Sequence, residues 1–338
     1  MPPVISAKTP DKAALVPAII GAVVSLFFIR SGLAVLFFLL PLGFIGYGWG
    51  PKTLWPGLFF ANLGNCILAF LTGIALRASG IDIFWDVFYF CVTTVAFAWI
   101  ILPFDEKSSR IPGAYRLAIG SFVCAFVFLG LFQRAFDNPS FFESIQGQVE
   151  LIASLYGLGG AGTQSALFDP AAVEKIIELI RVVILRGGAL FTSVLMFFFN
   201  RQFSAFLIRL FGGPRRDNAF VKFHVYPSIM WALLFSFLLI MAANMFGWTA
   251  PGIFFWNTLV LCVLMYLAQG YGIIRFFMAK PGFPQWLRFL LPVVFIILLL
   301  NPVINTVILA LVFCLGIAEY WVSFRNAKIN GPSSTPGI

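Results

Sequence analysis

Long apolar runs separated by short polar breaks are the dominant pattern along the chain. Most runs approach the length of about 20 residues that an α-helix needs to cross a bilayer. Their approximate bounds are 13–29, 32–49, 53–76, 81–103, 114–133, 177–200, 226–246, 250–278, 285–300 and 302–323. The breaks carry proline, glycine or charge, which interrupt helices. The pattern predicts about eight to ten spans, because the runs that flank Pro302 form either two spans or one kinked re-entrant hairpin.

Composition narrows the class of protein. Of the 338 residues, 61% are hydrophobic and 10% are charged, whereas about 25% are charged in an ordinary globular domain. A soluble fold of this length would have too few polar residues to cover its surface. The composition therefore excludes a soluble enzyme, a nucleic-acid-binding domain and a disordered protein. The fold class that we predict is an all-α polytopic transmembrane helical bundle, whose first partner is the lipid bilayer.

Basic residues predict the orientation of this bundle. With the N-terminus in the cytoplasm, 16 of the 22 Lys and Arg residues fall inside and 6 fall outside. The outside set is Arg30, Arg77, Arg134, Lys175, Arg181 and Arg186. Because cytoplasmic loops carry the excess of positive charge, both termini are expected inside, with an even number of spans. The run 13–29 lacks a small-residue cleavage site, so it is interpreted as a retained span.

One long connection interrupts the regular alternation. Residues 134–176 are predicted to form an extracytoplasmic loop between a transmembrane half at 1–133 and a second half at 177–325, followed by a cytoplasmic tail at 326–338. Apolar residues recur at helical spacing in this loop, which predicts a short amphipathic helix; they are Phe141, Phe142, Ile145, Val149, Ile152 and Tyr156. The loop is either a lid or docking element, as long loops often are, or a simple tether.

A few ionisable residues lie within or beside the apolar runs. Asp82 and Asp86 have i, i+4 spacing at the outer end of one run, so they share one helix face. Arg181 and Arg186 lie in the outer half of another. Such residues are costly near lipid unless they pair or face water. Either an ion pair between Asp86 and Arg186 joins two helices, or these residues form a solute site that opens to the outside.

Other polar residues sit deeper in the predicted spans. Asn62 and Asn65 have i, i+3 spacing, and amides of this kind either join helices by hydrogen bonds or line a polar cavity. Glu319 is the one acid well inside the last run, where an intramembrane carboxylate is a functional candidate. The alternative is that Arg325, near the inner interface, simply neutralises Glu319.

Motifs for catalysis and for metal binding are missing from the sequence. His224 is the single histidine and has no evident partners for a metal site or a catalytic triad. The segment 157–162 fits G-x-G-x-x-G by letter, but no strand precedes it as a dinucleotide site requires. No P-loop is present. We therefore predict no catalytic residues, no metal and no cofactor, and a protein that is not an enzyme.

Small residues mark one face of the first span. Ala14, Ala18 and Ala22 repeat every four residues, a pattern that allows two helices to approach closely. This face either packs inside the protein or receives a helix from a partner protein.

The order of several landmarks resembles a known family. The stretch Leu40–Gly50 reads LPLGFIGYGWG and is similar to the second-span motif of the YybS-like bacterial integral membrane proteins. The later landmarks are Phe223-His224-Val225-Tyr226-Pro227, Trp231, Asn257, Gln269-Gly270 and Phe324-Arg325. Glu319 stands where the family pattern has an aspartate. The resemblance implies a multi-pass protein of the bacterial cytoplasmic (inner) membrane and implies little about its biochemistry.

The first 130 residues are also similar to the substrate-capture subunits of energy-coupling-factor vitamin importers. In those subunits, an alanine-xxx-alanine face on the first span docks a transmembrane coupling subunit. The resemblance implies that Ala14, Ala18 and Ala22 form such a face here, with a membrane coupling subunit as the partner.

Together these features predict a transporter-like protein that binds a small solute from the outer face. The binding candidates are Asp86, Arg186, Asn62, Asn65 and Arg181. The alternative function is a scaffold without transport activity, which anchors envelope or division proteins through its loops. The sequence does not distinguish these two functions by any catalytic or energy-coupling motif.

Overall fold

The protein is described here from a computed structural model of the chain. The structure describes residues 11–31, 35–76, 80–102, 112–136, 170–212, 223–279 and 302–322, with isolated positions that include Phe324 and Arg325. These residues form helices and no strand. Two compact units are present, Met1–Arg216 and Asp217–Ile338.

Unit 1 contains seven α-helices in the described part of the chain. They are α1 (Asp11–Ser31), α2 (Leu40–Trp49), α3 (Pro51–Leu76), α4 (Gly80–Ile101), α5 (Gly113–Phe136), α6 (Pro170–Val183) and α7 (Ala189–Leu210). A 3-10 turn, Val35–Phe37, precedes α2, and a π-helical turn, Ile184–Gly188, joins α6 to α7. Unit 2 contains α8 (Ser228–Phe246), α9 (Thr249–Ala279) and α10 (Pro302–Ala318).

The predicted all-α polytopic bundle is confirmed. Seven helical segments among the described residues are long and apolar enough to cross a membrane. The segment that ends in α7 continues to Leu210, ten residues beyond its predicted end. Helix α10 is shorter, with 17 residues. The predicted run 285–300 lies almost wholly outside the described residues.

The prediction of a full-length span at 32–49 is wrong. Its helix α2 has only 10 residues, and it packs against α1, α3, α4 and α7. The apolar pattern could not reveal this, because a short helix in the middle of a bundle and a full span have the same composition. Glycines make the close packing of α2 possible: a Cβ at Gly43 would overlap the Ser204 side chain and lie 3.0 Å from Phe97.

The chain before α2 is irregular, and side chains of neighbouring helices satisfy its backbone. Asn200 donates to the carbonyl of Leu36 at 2.6 Å, and Ser204 donates to that of Leu40 at 3.2 Å. Ser25 of α1 donates to the carbonyl of Phe38. Backbone groups at membrane depth need such partners, because lipid offers none. The three side chains therefore fix the position at which α2 begins.

Replacing Asn200 with leucine tests this arrangement. Asn200 is fully buried, and its loss leaves the Leu36 carbonyl without that donor, so we expect about 1–3 kcal/mol of destabilisation. The measurement is reversible unfolding in mixed detergent. Thr72→Val is the matched control, because Thr72 is exposed and donates only to carbonyls of its own helix. Equal stability of the two variants would contradict the assigned role of Asn200.

Helix α1 packs along α3, and this contact uses the small face of α1. Ala18 and Ala22 are buried at 0% and 2% exposure, and the backbone of Ala18 lies against Gly57. Further along, Leu26 occupies the space beside Gly64. Of the two interpretations of this face, the structure therefore supports internal packing, and only Ala14 is partly exposed.

The structure also divides the chain at a different place from the predicted loop. Helix α7 packs on α2 and α5, so it belongs to the same unit as the first five helices. The predicted halves placed it with the C-terminal spans. In unit 2, α9 lies between α8 and α10 and packs against both.

Candidate functional site

Arg30, at the end of α1, joins two of the predicted site residues. Its Nη2 donates to Oδ1 of Asn65 on α3 at 2.6 Å and to Oδ2 of Asp86 on α4 at 2.7 Å. Three helices therefore meet at one guanidinium group. We call Arg30, Asn65 and Asp86 the Arg30 cluster. The prediction that Asp86 pairs with Arg186 is wrong, because its ion-pair partner is Arg30.

A second polar contact lies deeper in the same bundle. Asn62, one turn before Asn65 on α3, donates to Oγ1 of Thr94 on α4 at 3.0 Å and to the carbonyl of Leu58 at 2.8 Å. Thr94 is fully buried. Asn62 is thus used to join α3 to α4, as amides in lipid often are. It lies on the same helix as Asn65 but is not bonded to the Arg30 cluster.

The Arg30 cluster combines buried and accessible groups. Asn65 is 1% exposed, whereas the side chains of Arg30 and Asp86 are 30% and 45% exposed. The Nδ2 group of Asn65 has no hydrogen-bond partner among the described residues, although its Oδ1 is bonded. A buried donor of this kind is costly unless something accepts from it. The cluster therefore offers a cation, an anion and a spare amide donor within one small volume.

The remaining charged candidates lie apart from the Arg30 cluster. Arg181 is paired locally with Glu178 at 3.7 Å on α6. Asp82 pairs with Arg134 of α5 at 3.0 Å, and both side chains are exposed. Arg186 lies in the π-helical turn next to Gly187, whose φ of 137° suits glycine alone. Arg186 makes contacts of its own, but it is not bonded to Arg30, Asn65 or Asp86.

Arg30 is the member of this cluster that the sequence reasoning missed. It was counted only as an outside charge at the break after the first run. The signal that could have found it is topological: a helix that ends at one membrane face places its last turn beside the first turn of a helix that begins there. Asp86 is in the second turn of α4, so an arginine at the end of α1 was within reach.

Among the described residues of unit 2, the side chains of Glu319 and Gln269 make polar contacts. Glu319 and Arg325 form a bidentate ion pair in which Nε lies 2.6 Å from Oε1 and Nη2 contacts Oε2. The interpretation that Arg325 neutralises Glu319 is thereby supported. Gln269 of α9 is buried, donates to the carbonyl of Gly316 at 2.8 Å and accepts from the backbone N–H of Val225. Both contacts join separate segments of the unit.

Several predicted features lie outside the described residues. They are Arg77, the amphipathic helix proposed within 134–176, the glycine-rich segment 157–162 and the tail 326–338. Their roles stay predictions.

Comparison of the chain with known proteins identified no relative. No family model matches the chain, and no curated protein or solved structure matches it either. The resemblance to the YybS-like proteins and to the substrate-capture subunits therefore stays a prediction. The statement that the structure supports directly is that the chain is a multi-pass α-helical membrane protein.

Proposed function

We propose that the protein is a transporter-like component of the bacterial inner membrane, which binds a small zwitterionic solute from the outer face at the Arg30 cluster. The observation that carries the proposal is the linkage of Arg30, Asn65 and Asp86 across three membrane helices. Charged residues within membrane segments are expensive and mark solute or ion pathways by default.

The chemistry of the cluster indicates the kind of solute. The guanidinium of Arg30 and the spare Nδ2 of Asn65 are donors that suit a carboxylate, and the Asp86 carboxylate suits an ammonium group. A solute with both groups would replace each half of the Arg30–Asp86 pair with an equivalent bond. A solute with one charge would leave the opposite partner uncompensated, which disfavours it.

The depth of the cluster also supports a binding role. Asn65 lies eleven residues before the end of α3, which corresponds to about 16 Å along the helix axis. The partly exposed Arg30 and Asp86 lie between it and the face where α1 ends and α4 begins. The positive-inside bias places that face outside the cell. A solute that enters from this side would meet the charged pair before the buried amide.

Asp86→Asn tests the proposal directly. The purified chain is incubated with an equimolar mixture of the twenty standard amino acids, and retained ligands are measured by native mass spectrometry. We expect at least one amino acid to be retained, and Asp86→Asn to weaken its retention by about tenfold or more, since a charge-assisted bond is lost.

Asp82→Asn is the matched control for this experiment. It removes the same charge from the same helix and also breaks an ion pair, that with Arg134. Its retention of the amino acid is expected to equal that of the unmodified chain. Retention of no amino acid, or equal weakening by both substitutions, would overturn the proposal. The alternative function would then be favoured, namely a scaffold that docks envelope or division proteins through the segment 134–176.

A further inference from the structure

An apolar groove lies between α4 and α5 on the surface of unit 1. It encloses about 390 Å³ and is lined by Val92, Ala96 and Trp99 of α4 with Ile119, Gly120 and Val123 of α5. Two of these side chains, Ile119 and Val123, are 44% and 47% exposed. The groove therefore opens outward from the bundle, toward the surface that contacts lipid.

The length of the groove corresponds to one leaflet. Its lining along α4 runs from Phe88 to Trp99, and eleven residues of helix rise about 16 Å. Half of a hydrocarbon core that is about 30 Å thick is a similar distance. Trp99 is only two residues before the end of α4, so the groove covers the leaflet at that end of the helix.

Two arginines converge at the same end. Arg116 of α5 donates through Nη1 to the carbonyls of Trp99 and Leu102, at 3.2 and 2.8 Å. Its Nη2 lies 3.8 Å from the point that a Cβ on Gly113 would occupy, and Nη2 of Arg201 on α7 lies 3.6 Å from that point. Two guanidinium groups thus reach one position at the first residue of α5.

The side chains of Arg116 and Arg201 both bring positive charge to this position, which favours an anion there. The amino end of α5 adds partial positive charge at the same place. Arg116 also donates to the carbonyl of Trp99, a residue that lines the groove, so the cationic position lies next to the end of the apolar groove. The ligand that matches both is a molecule with a phosphate at one end and an acyl chain at the other.

We propose that unit 1 binds an anionic phospholipid of the cytoplasmic leaflet, with one acyl chain in the α4–α5 groove and its phosphate at Arg116 and Arg201. The positive-inside bias places this end of the helices in the cytoplasm, and anionic lipids supply the negative charge of that leaflet. The site is separate from the Arg30 cluster and does not depend on the proposed solute.

Competition between two lipids tests the site. The purified full chain is incubated with equal amounts of phosphatidylglycerol and phosphatidylcholine that carry the same acyl chains, and bound lipid is measured by native mass spectrometry. We expect phosphatidylglycerol to be retained about tenfold better, because guanidinium groups form strong bonds to phosphate and the choline headgroup adds a repelled cation. Equal retention of the two lipids would overturn the proposal.

Variants locate the bound lipid. Arg201→Gln is expected to reduce phosphatidylglycerol retention to the level of phosphatidylcholine, whereas Arg209→Gln, at the exposed end of the same helix, should leave it unchanged. Arg201→Lys keeps the charge and should retain most of the preference, which shows that the fold is intact. Equal retention by Arg201→Gln and Arg209→Gln would contradict the phosphate position.

The groove is tested by filling it. Val123→Trp places a large side chain in the groove and should reduce the retention of both lipids. Leu71→Trp makes a similar change at an exposed position of α3 that does not line the groove, and it should have no effect. Equal effects of the two variants would contradict the acyl-chain position.

Displacement of the lipid by glycerol phosphate at equal concentration would show that the site takes free phosphate, and this too would overturn the lipid assignment.

Discussion

Gly316→Ala is expected to separate α9 from α10 and to destabilise unit 2 by about 3 kcal/mol or more, at the upper end of the range for overpacked cores. A Cβ at Gly316 would overlap the carbonyl oxygen of Tyr266 and lie 2.9 Å from its carbonyl carbon and 3.2 Å from the backbone nitrogen of Gly270. A Cβ at Gly270 would in turn overlap the carbonyl oxygen of Val312. The obstructing atoms are backbone, so no change of side-chain rotamer can relieve the clash.

Gly252→Ala provides the control, on the partner helix α9. Its added Cβ would lie 3.6 Å from the Cβ of Ala243, which is an ordinary van der Waals distance. Because alanine is about 1 kcal/mol more favourable than glycine within a helix, Gly252→Ala is expected to be neutral or stabilising. The measurement is reversible unfolding of the full chain in mixed detergent, followed through the tryptophan fluorescence. Equal stability of the two variants would refute the backbone contact between α9 and α10.

Glu319→Gln is the second substitution with a large expected effect, about 3–5 kcal/mol of destabilisation. The side chains of Glu319 and Arg325 are 3% and 12% exposed, and their ion pair is bidentate. Neutralising Glu319 leaves the guanidinium of Arg325 in a site with little water to solvate it. The cost is therefore that of a buried charge that has lost its carboxylate partner, and it exceeds the contribution of the pair itself.

A double-mutant cycle separates the cost of the remaining buried charge from the contribution of the ion pair. Arg325→Gln combined with Glu319→Gln removes both charges, so the double variant is expected to be more stable than Glu319→Gln alone. Glu178→Gln is the control: its pair with Arg181 is 3.7 Å long and mostly exposed, so its loss should cost about 1 kcal/mol or less. If Glu319→Gln were as mild as Glu178→Gln, the buried pair would not be a stabilising contact of unit 2.

Much of the Arg30 cluster was visible as separate residues in the sequence. Asp86 and Asn65 were candidates because polar groups within apolar runs need a reason to be there. Their partner was not identified, since the choice between Arg30 and Arg186 depends on which helices are neighbours. Helix α1 packs on α3 and α3 on α4, and this packing brings the end of α1 to Asp86. Nothing in the spacing of these residues along the chain specifies that packing.

The small-residue patterns also predicted a contact without identifying the helix that makes it. The alanines of α1 were recognised as a close-packing face, but their partner could be internal or external. The structure places Gly57 of α3 opposite Ala18. In unit 2, the sequence singled out Gly270 only as a landmark of the resemblance to the YybS-like proteins. In the structure, the backbone of Val312 lies so close to Gly270 that no side chain fits there. A pattern of small residues indicates that a helix approaches closely, and only the fold identifies which helix.

The sequence by itself determined the class of this protein: apolar composition and run length leave a helical membrane bundle, because lipid cannot satisfy an exposed backbone. It also determined which polar residues are exceptional. Only the tertiary structure decided that α2 is a short central helix, that Arg30 connects Asn65 to Asp86, and that Arg116 and Arg201 converge. The physical reason is that hydropathy acts locally along each helix, whereas the choice of neighbours depends on shape and charge between segments far apart in the chain.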